Sequence, residues 1–86
     1  MIELDALKMT SVEDTHSYLA KELSFPDHYG KNLDALYDCL TEFCSEEFIV
    51  INNSKAMADN LGDYSKKLTK VLLDAAAGSS MYVIFR

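Results

Sequence analysis

The run Phe48-Ile49-Val50-Ile51 leaves a chain of this kind few ways to fold. Four apolar residues in succession show no alternation, so neither side of the segment is marked for water. Asn52 and Asn53 follow at once and favour a turn. The segment Glu47–Asn52 therefore reads as a short strand buried on both faces, the habit of strands inside parallel sheets. Two other segments suit neighbouring strands. Ile2 to Leu7 alternates Ile2, Leu4 and Ala6 against Glu3 and Asp5, and Met81 to Phe85 is again a short apolar run.

Helical periodicity fills the intervals. Thr10 with Glu13, and Ser11 with Asp14, fit capping boxes ahead of a helix over Val12–Leu23. Its inward stripe is Val12, His16, Leu19 and Leu23. His16 lies within that stripe and reads as a packed, hydrogen-bonded histidine. Pro26 forces the preceding residue out of the helical basin and ends this region. A loop from Phe25 to Lys31 leads to Asn32, a good N-cap for a second helix over Leu33–Phe43. Ser54 can cap a short helix over Lys55–Leu61, terminated by Gly62. Asp63 can cap a fourth over Tyr64–Ala77, whose apolar face is Tyr64, Leu68, Val71, Leu72 and Ala75. Gly78 stands just past its end.

The order β-α-α-β-α-α-β predicts an α/β fold: a three-stranded parallel sheet packed with four helices through right-handed crossovers. At 86 residues one domain, spanning 1–86, is expected. No GxGxxG, GxxxxGK[ST] or HExxH motif occurs. Cys39 and Cys44 are five apart, with no His or Cys cluster for a metal. They are expected to be reduced packing residues, as in the cytosol. The N-terminus lacks the basic and apolar regions of a signal peptide, and no apolar run is long enough to span a bilayer. A cytoplasmic protein without cofactor, metal or membrane contact is expected.

Acids outnumber bases 14 to 8 for a net charge of −6, which argues against direct nucleic-acid binding. Lys66, Lys67 and Lys70 read as a solvated helix face. Most of the excess acid is local. Between Asp27 and Glu47, six acids face Lys31 alone, so this stretch holds −5 of the total.

Advancing about 100° per residue along the second helix puts Leu33, Leu36, Leu40 and Phe43 on one arc, with Cys44 beside it. Asp34, Asp38 and Glu42 fall on another arc at successive i, i+4 positions. Tyr37 and Thr41 lie along the border. Like charges one turn apart cost a helix about 0.2–0.5 kcal/mol per pair. Asp34 is favoured by the positive end of the helix dipole. Asp38 and Glu42 have no such compensation. Three readings fit: a solvated acidic face, a carboxylate enzyme, or a recognition surface for a basic site. Carboxylates on successive turns of one exposed helix do not enclose a substrate, which counts against the second. In the third, spaced carboxylates stand in for nucleic-acid phosphates in a cleft lined with Arg, Lys and His.

The segment LSFPDHYGKNLDALYDCLTEF, from Leu23 to Phe43, resembles the central part of the barstar family, intracellular inhibitors of barnase-type ribonucleases. The shared frame is Pro26, Tyr29-Gly30, Asn32-Leu33-Asp34-Ala35-Leu36 and Asp38-Cys39-Leu40-Thr41, preceded by Lys21-Glu22-Leu23. Length and element order also agree, and His16 falls where the family often has a histidine.

The resemblance implies a barstar-like fold and an inhibitor without catalytic chemistry, which plugs a ribonuclease active site. It makes Asp38 the phosphate mimic and Asp34 a second charged contact. Tyr29 becomes an aromatic wedge, with Asn32 and Thr41 as nearby polar contacts. The chain departs from the family in His28, where an aromatic is common, Tyr37, where tryptophan is common, and Glu42, where glycine is common. These three are included in the partner-binding set. A last-helix acid is expected too, with Asp74 nearest.

The expected partner is a basic ribonuclease, secreted or delivered as a toxin, and the free protein is expected to be a monomer. A noninhibitory module that docks another basic partner is the alternative. A hydrolase using His28 with Asp27 is a third, without support from a pocket-forming pattern.

Overall fold

The structure, a computed structural model, describes residues 1–86. Its elements follow the predicted order. They are β1 (Ile2–Asp5), a 3-10 turn (Ala6–Lys8), α1 (Val12–Glu22), α2 (Leu33–Phe43), β2 (Phe48–Asn52), α3 (Lys55–Leu61), α4 (Asp63–Ala77) and β3 (Tyr82–Phe85). The three strands form a parallel sheet in the order β1-β2-β3. Ile49 pairs with Ile2 on one side and Val83 on the other.

The first strand is shorter than its alternation predicts. Asp5 accepts a hydrogen bond from the Leu7 N–H at 2.9 Å, which turns the chain out of the sheet. That bond, and a second from Asn53, hold the Asp5 carboxyl below the usual carboxylate range. Ala6 still reaches the core, but from the 3-10 turn.

Capping follows the sequence at two helices. Ser11 accepts from the Asp14 N–H at 3.0 Å, and Asn32 from the Ala35 N–H at 2.8 Å. Thr10 instead bonds the Asp14 carboxylate at 2.8 Å. Neither Ser54 nor Asp63 caps with its side chain. Gly62, at φ 59°, serves both the end of α3 and the start of α4, a backbone conformation that a Cβ would penalise.

Sequential strand order with right-handed crossovers places both helical connections on one side of the sheet. The core lies there. Leu4, Ile49 and Ile51 meet Leu19, Leu36, Leu40, Leu68 and Leu72, all essentially without solvent exposure. Each such side chain contributes about 1.5–3 kcal/mol through burial. β2 is buried on both faces as expected, with Ile49 and Ile51 inside on the helix side and Val50 on the other. Val50 is buried, flanked in register by Glu3 and Ile84. No helix lies over it, and Phe48, Tyr82 and Ile84 remain exposed on that side.

One correction concerns helix faces. Val12, at the first position of α1, is exposed, and Thr15 joins His16, Leu19 and Leu23 inside. On α2 the inward set is Leu36, Cys39 and Leu40, with Leu33 half-buried. Phe43 has the right angle for that arc, but at the last helical position it runs past the core and is 49% exposed.

Candidate inhibitor surface on α2 and the preceding loop

The loop between α1 and α2 is fixed along its length. Leu23 and Phe25 donate their N–H groups to Leu19 and Ala20, closing the end of α1 around Ser24. Tyr29 N–H returns to the Pro26 carbonyl at 3.0 Å, so Asp27 and His28 form the corner of a turn. Ser24 and Lys31 both sit in the left-handed backbone region, at φ 57° and 53°. For residues with a Cβ this costs about 1–3 kcal/mol each and persists only where the surroundings enforce it. Space at Gly30 is tight. A Cβ there would lie 3.3 Å from Asn32 Nδ2 and 3.4 Å from Ala35 Cβ. The Asn32 amide fills that room, donating to the Gly30 carbonyl while its oxygen caps α2.

Tyr29 anchors the loop rather than projecting from it. Its ring is 8% exposed and packs on Phe25 at 5.0 Å. Its hydroxyl lies 2.6 Å from His16 Nδ1, and His16 Nε2 lies 2.7 Å from the Tyr64 hydroxyl. A neutral imidazole donates through one nitrogen and accepts through the other, so it matches two hydroxyls. Burial, then the Lys31 charge, lowers the His16 pKa, while burial raises those of Tyr29 and Tyr64. The role of aromatic wedge therefore does not suit Tyr29, whose hydroxyl is engaged inside. His28, exposed at the turn, carries the outward ring of this loop.

A groove of about 300 Å³ lies between the loop and α2. Its walls include His28 and Gly30 on one side and Asp38, Glu42 and Phe43 on the other, with Ala35, Cys39 and Tyr29 beneath. Asp38 and Glu42 are exposed, as is Asp34 one turn earlier. No side chain of this protein forms an ion pair or hydrogen bond with any of the three carboxylates; the chain's ion pair is Lys70–Asp74 at 2.8 Å. That pair leaves Asp74 partly neutralised, unlike the acids on α2. Burial first, then the charges of Glu42 and Asp38, push the Cys39 thiol pKa up. Both cysteines are buried and free.

The remaining expected residues frame this surface. Thr41 directs its hydroxyl hydrogen to the Tyr37 and Asp38 carbonyls, leaving its oxygen as an acceptor at the surface of α2. Tyr37 is 38% exposed and reaches Gly78 at the end of α4, where an added Cβ would lie 3.5 Å from its hydroxyl. The structure thus brings together His28, Asp38 and Glu42 at the groove, with Asp34, Tyr37 and Thr41 alongside on α2. Phe43, missing from the expected site, joins the groove wall; its last-turn position was the available signal. A larger hollow of about 420 Å³ lies against α1 and includes Lys21, Ser24 and Lys31. Its lysines make it less suited to a basic partner than the α2 side. No group of His, Cys, Asp and Glu is arranged to hold a metal. No helix is long and apolar enough to cross a membrane.

A family model described as "Barstar (barnase inhibitor)" matches residues 1–84. The Bacillus subtilis (strain 168) protein named "Putative ribonuclease inhibitor YrdF" is 36% identical over 75 residues. That match covers 86% of this chain and 82% of the relative. By the extent of the family match and the shared order of strands and helices, the chain belongs to the barstar family.

Proposed function

We propose that this protein is an intracellular inhibitor, not an enzyme, and that it blocks the active site of a barnase-type ribonuclease with α2 and the preceding loop. The observation that carries this reading is the unneutralised row Asp34, Asp38 and Glu42 beside a groove on an otherwise well-packed helix. An active site that binds RNA is lined with cations placed for phosphates. Carboxylates held on successive turns offer those cations the same charge without a bond to cleave.

In this reading Asp38 occupies a phosphate position and Asp34 makes a second charged contact. His28 lies over the enzyme's reacting groups, while Tyr29 holds the loop beneath it. Asn32 fixes the start of α2, and Tyr37 and Thr41 contact the rim. Glu42 extends the acidic row where other family members commonly have glycine, and so favours a partner with an additional cation at that level.

Titration of the protein into guanyl-preferring ribonucleases tests this directly. Activity should vanish near one equivalent, and Asp38→Ala should weaken binding by about 2–5 kcal/mol, the range for truncating one side of a buried charge pair. A partner recovered from the native cell that binds through α2 but has no nuclease activity would replace inhibition with the noninhibitory docking role. Multiple turnover lost on His28→Ala would favour a hydrolase.

A further inference from the structure

The loop ahead of α2 is strained at its ends and tied at its middle. Ser24 and Lys31 keep left-handed backbone, at φ 57° and 53°, which residues with a Cβ leave when nothing enforces it. Of the side chains from Phe25 to Gly30, only that of Tyr29 hydrogen-bonds another element. Its hydroxyl lies 2.6 Å from Nδ1 of His16 on α1. The Tyr29 N–H bonds within the loop, to the Pro26 carbonyl.

Burial fixes which atom of this cluster carries which proton. The Tyr29 hydroxyl is buried and has no other partner, so its hydrogen points at Nδ1. Nδ1 is therefore the acceptor of a neutral imidazole, and Nε2–H donates to the Tyr64 hydroxyl at 2.7 Å. Tyr64 is half-buried and can direct its own hydrogen to solvent.

A second proton on His16 loads these two bonds unequally. Nδ1 becomes a donor, so the Tyr29 hydroxyl has to turn its hydrogen toward surroundings that offer no acceptor. The Tyr64 bond keeps its direction. Nothing else that faces the ring compensates the new charge. Lys31 from the loop adds a like charge, α4 contributes the Tyr64 phenol, and no carboxylate pairs with the imidazole. Cys39 of α2, beside Tyr29, is kept a neutral thiol by burial.

We propose that His16 is a positioning residue of the inhibitor surface and acts as a proton-sensitive latch. While neutral it holds Tyr29, and with it the loop, in the shape that meets the partner; on taking up a proton it lets the loop go. Release brings the imidazolium to water and frees Ser24 and Lys31 from the left-handed region, while the sheet and its helices stay in place. Capture of a partner is then strongest near neutral pH and weakens in mildly acidic solution. Burial lowers the pKa of the latched ring, whereas the released ring titrates near the ordinary value of about 6.5. The released form therefore takes up the proton first. Release rises as pH falls below about 6.5, by up to about tenfold per pH unit, until the latched ring titrates as well.

The proposal rests on the loop being part of the docking surface, yet its first test needs no partner. Hydrogen exchange of the free, full chain, corrected for the intrinsic rate at each pH, reads release at the Tyr29 N–H. Its protection should lie at least about a hundredfold below that of the Leu72 N–H inside α4, the mark of local opening. Between about pH 7.5 and 5.5 it should fall by about tenfold. His16→Gln keeps an acceptor for Tyr29 and a donor for Tyr64 but cannot titrate, so its profile should be flat. In the parent the fall should begin near pH 6.5 and level off where nitrogen NMR shows the His16 ring to titrate. Equal protection of Tyr29 and Leu72 overturns the proposal, because the loop then opens only when the whole domain unfolds. A flat parent profile, or a fall outside that window, overturns it too.

The second test uses a ribonuclease that the parent captures at about pH 7.5. By about pH 5 the parent should lose affinity at least about threefold relative to His16→Gln, since only the latched fraction binds. The enzyme's own titrating groups cancel in that ratio. Equal pH profiles for parent and variant overturn the link to capture. If the parent captures no ribonuclease at neutral pH, the inhibitor reading fails, while hydrogen exchange still decides whether the latch exists.

Discussion

Tyr29→Phe removes one hydroxyl while leaving the ring in place, so it isolates the bond that ties the loop to α1. His16 is fully buried, so the nitrogen that loses its partner is left inside the protein. An unsatisfied buried polar atom of this kind costs about 1–3 kcal/mol. For a domain of this size each kcal/mol moves the melting temperature by about 4–8 °C, so a loss near 2 kcal/mol corresponds to about 8–16 °C. Tyr64 is only half-buried, so water can replace its hydroxyl after Tyr64→Phe. That variant should lose less, about 0.5–1.5 kcal/mol. Urea melts followed by circular dichroism give both values. A cycle combining Tyr29→Phe with His16→Leu should show coupling of about 1 kcal/mol, because the second change removes the stranded nitrogen. If Tyr29→Phe alone falls within about 0.5 kcal/mol of the parent, the range of ordinary surface changes, the clamp does not hold the loop.

The remaining predictions concern pH, the cap and the partner. The folded His16 pKa is lowered chiefly by burial, so the unfolded chain takes up a proton first as pH falls. The stabilising contribution is present above about pH 6.5 and is lost below it, with a slope of up to about 1.4 kcal/mol per unit; urea melts across this range should show a slope that His16→Gln flattens. Asn32→Ala removes the bond to Ala35 N–H and should destabilise the protein by about 1 kcal/mol in the same melts. Association with a basic nuclease should slow as salt rises, because the Debye length falls to about 10 Å at 0.1 M. Stopped-flow measurements should find the dissociation rate less affected than the association rate. For Asp38→Ala, single-turnover competition should place the larger change in dissociation.

Much of the architecture was legible because its signals are local. The apolar run at β2, the Asn32 cap and the Leu36 and Leu40 spacing each sit inside one element, and α2 runs from Leu33 to Phe43 as its periodicity predicts. Signals that depend on three-dimensional placement were not legible. Ile2, Leu4 and Ala6 alternate like one strand, yet the Asp5 side chain diverts the chain before Ala6. The length of β2 says nothing about whether helices cover one face or two; that depends on strand order. Angular position gives Phe43 an inward direction, but only the extent of the core shows that it lies beyond cover. Tyr29 looks like any exposed loop aromatic until His16 is placed beside it, and the third member of that chain, Tyr64, is 48 positions from His16. The acidic row was visible as charge, whereas its lack of cationic partners emerged only from the packing.

The two left-handed residues that bracket the loop change how association is limited. Ordering a residue's backbone costs about 1–2 kcal/mol in conformational entropy. From Ser24 to Lys31 that loss occurs when the protein folds, through enforced dihedrals, the Tyr29–Pro26 turn and the His16 bond. Little of it is left to be incurred at encounter. The loop can meet a partner as a rigid shape, so the rate of capture depends on collision and charge rather than on waiting for a rare conformation.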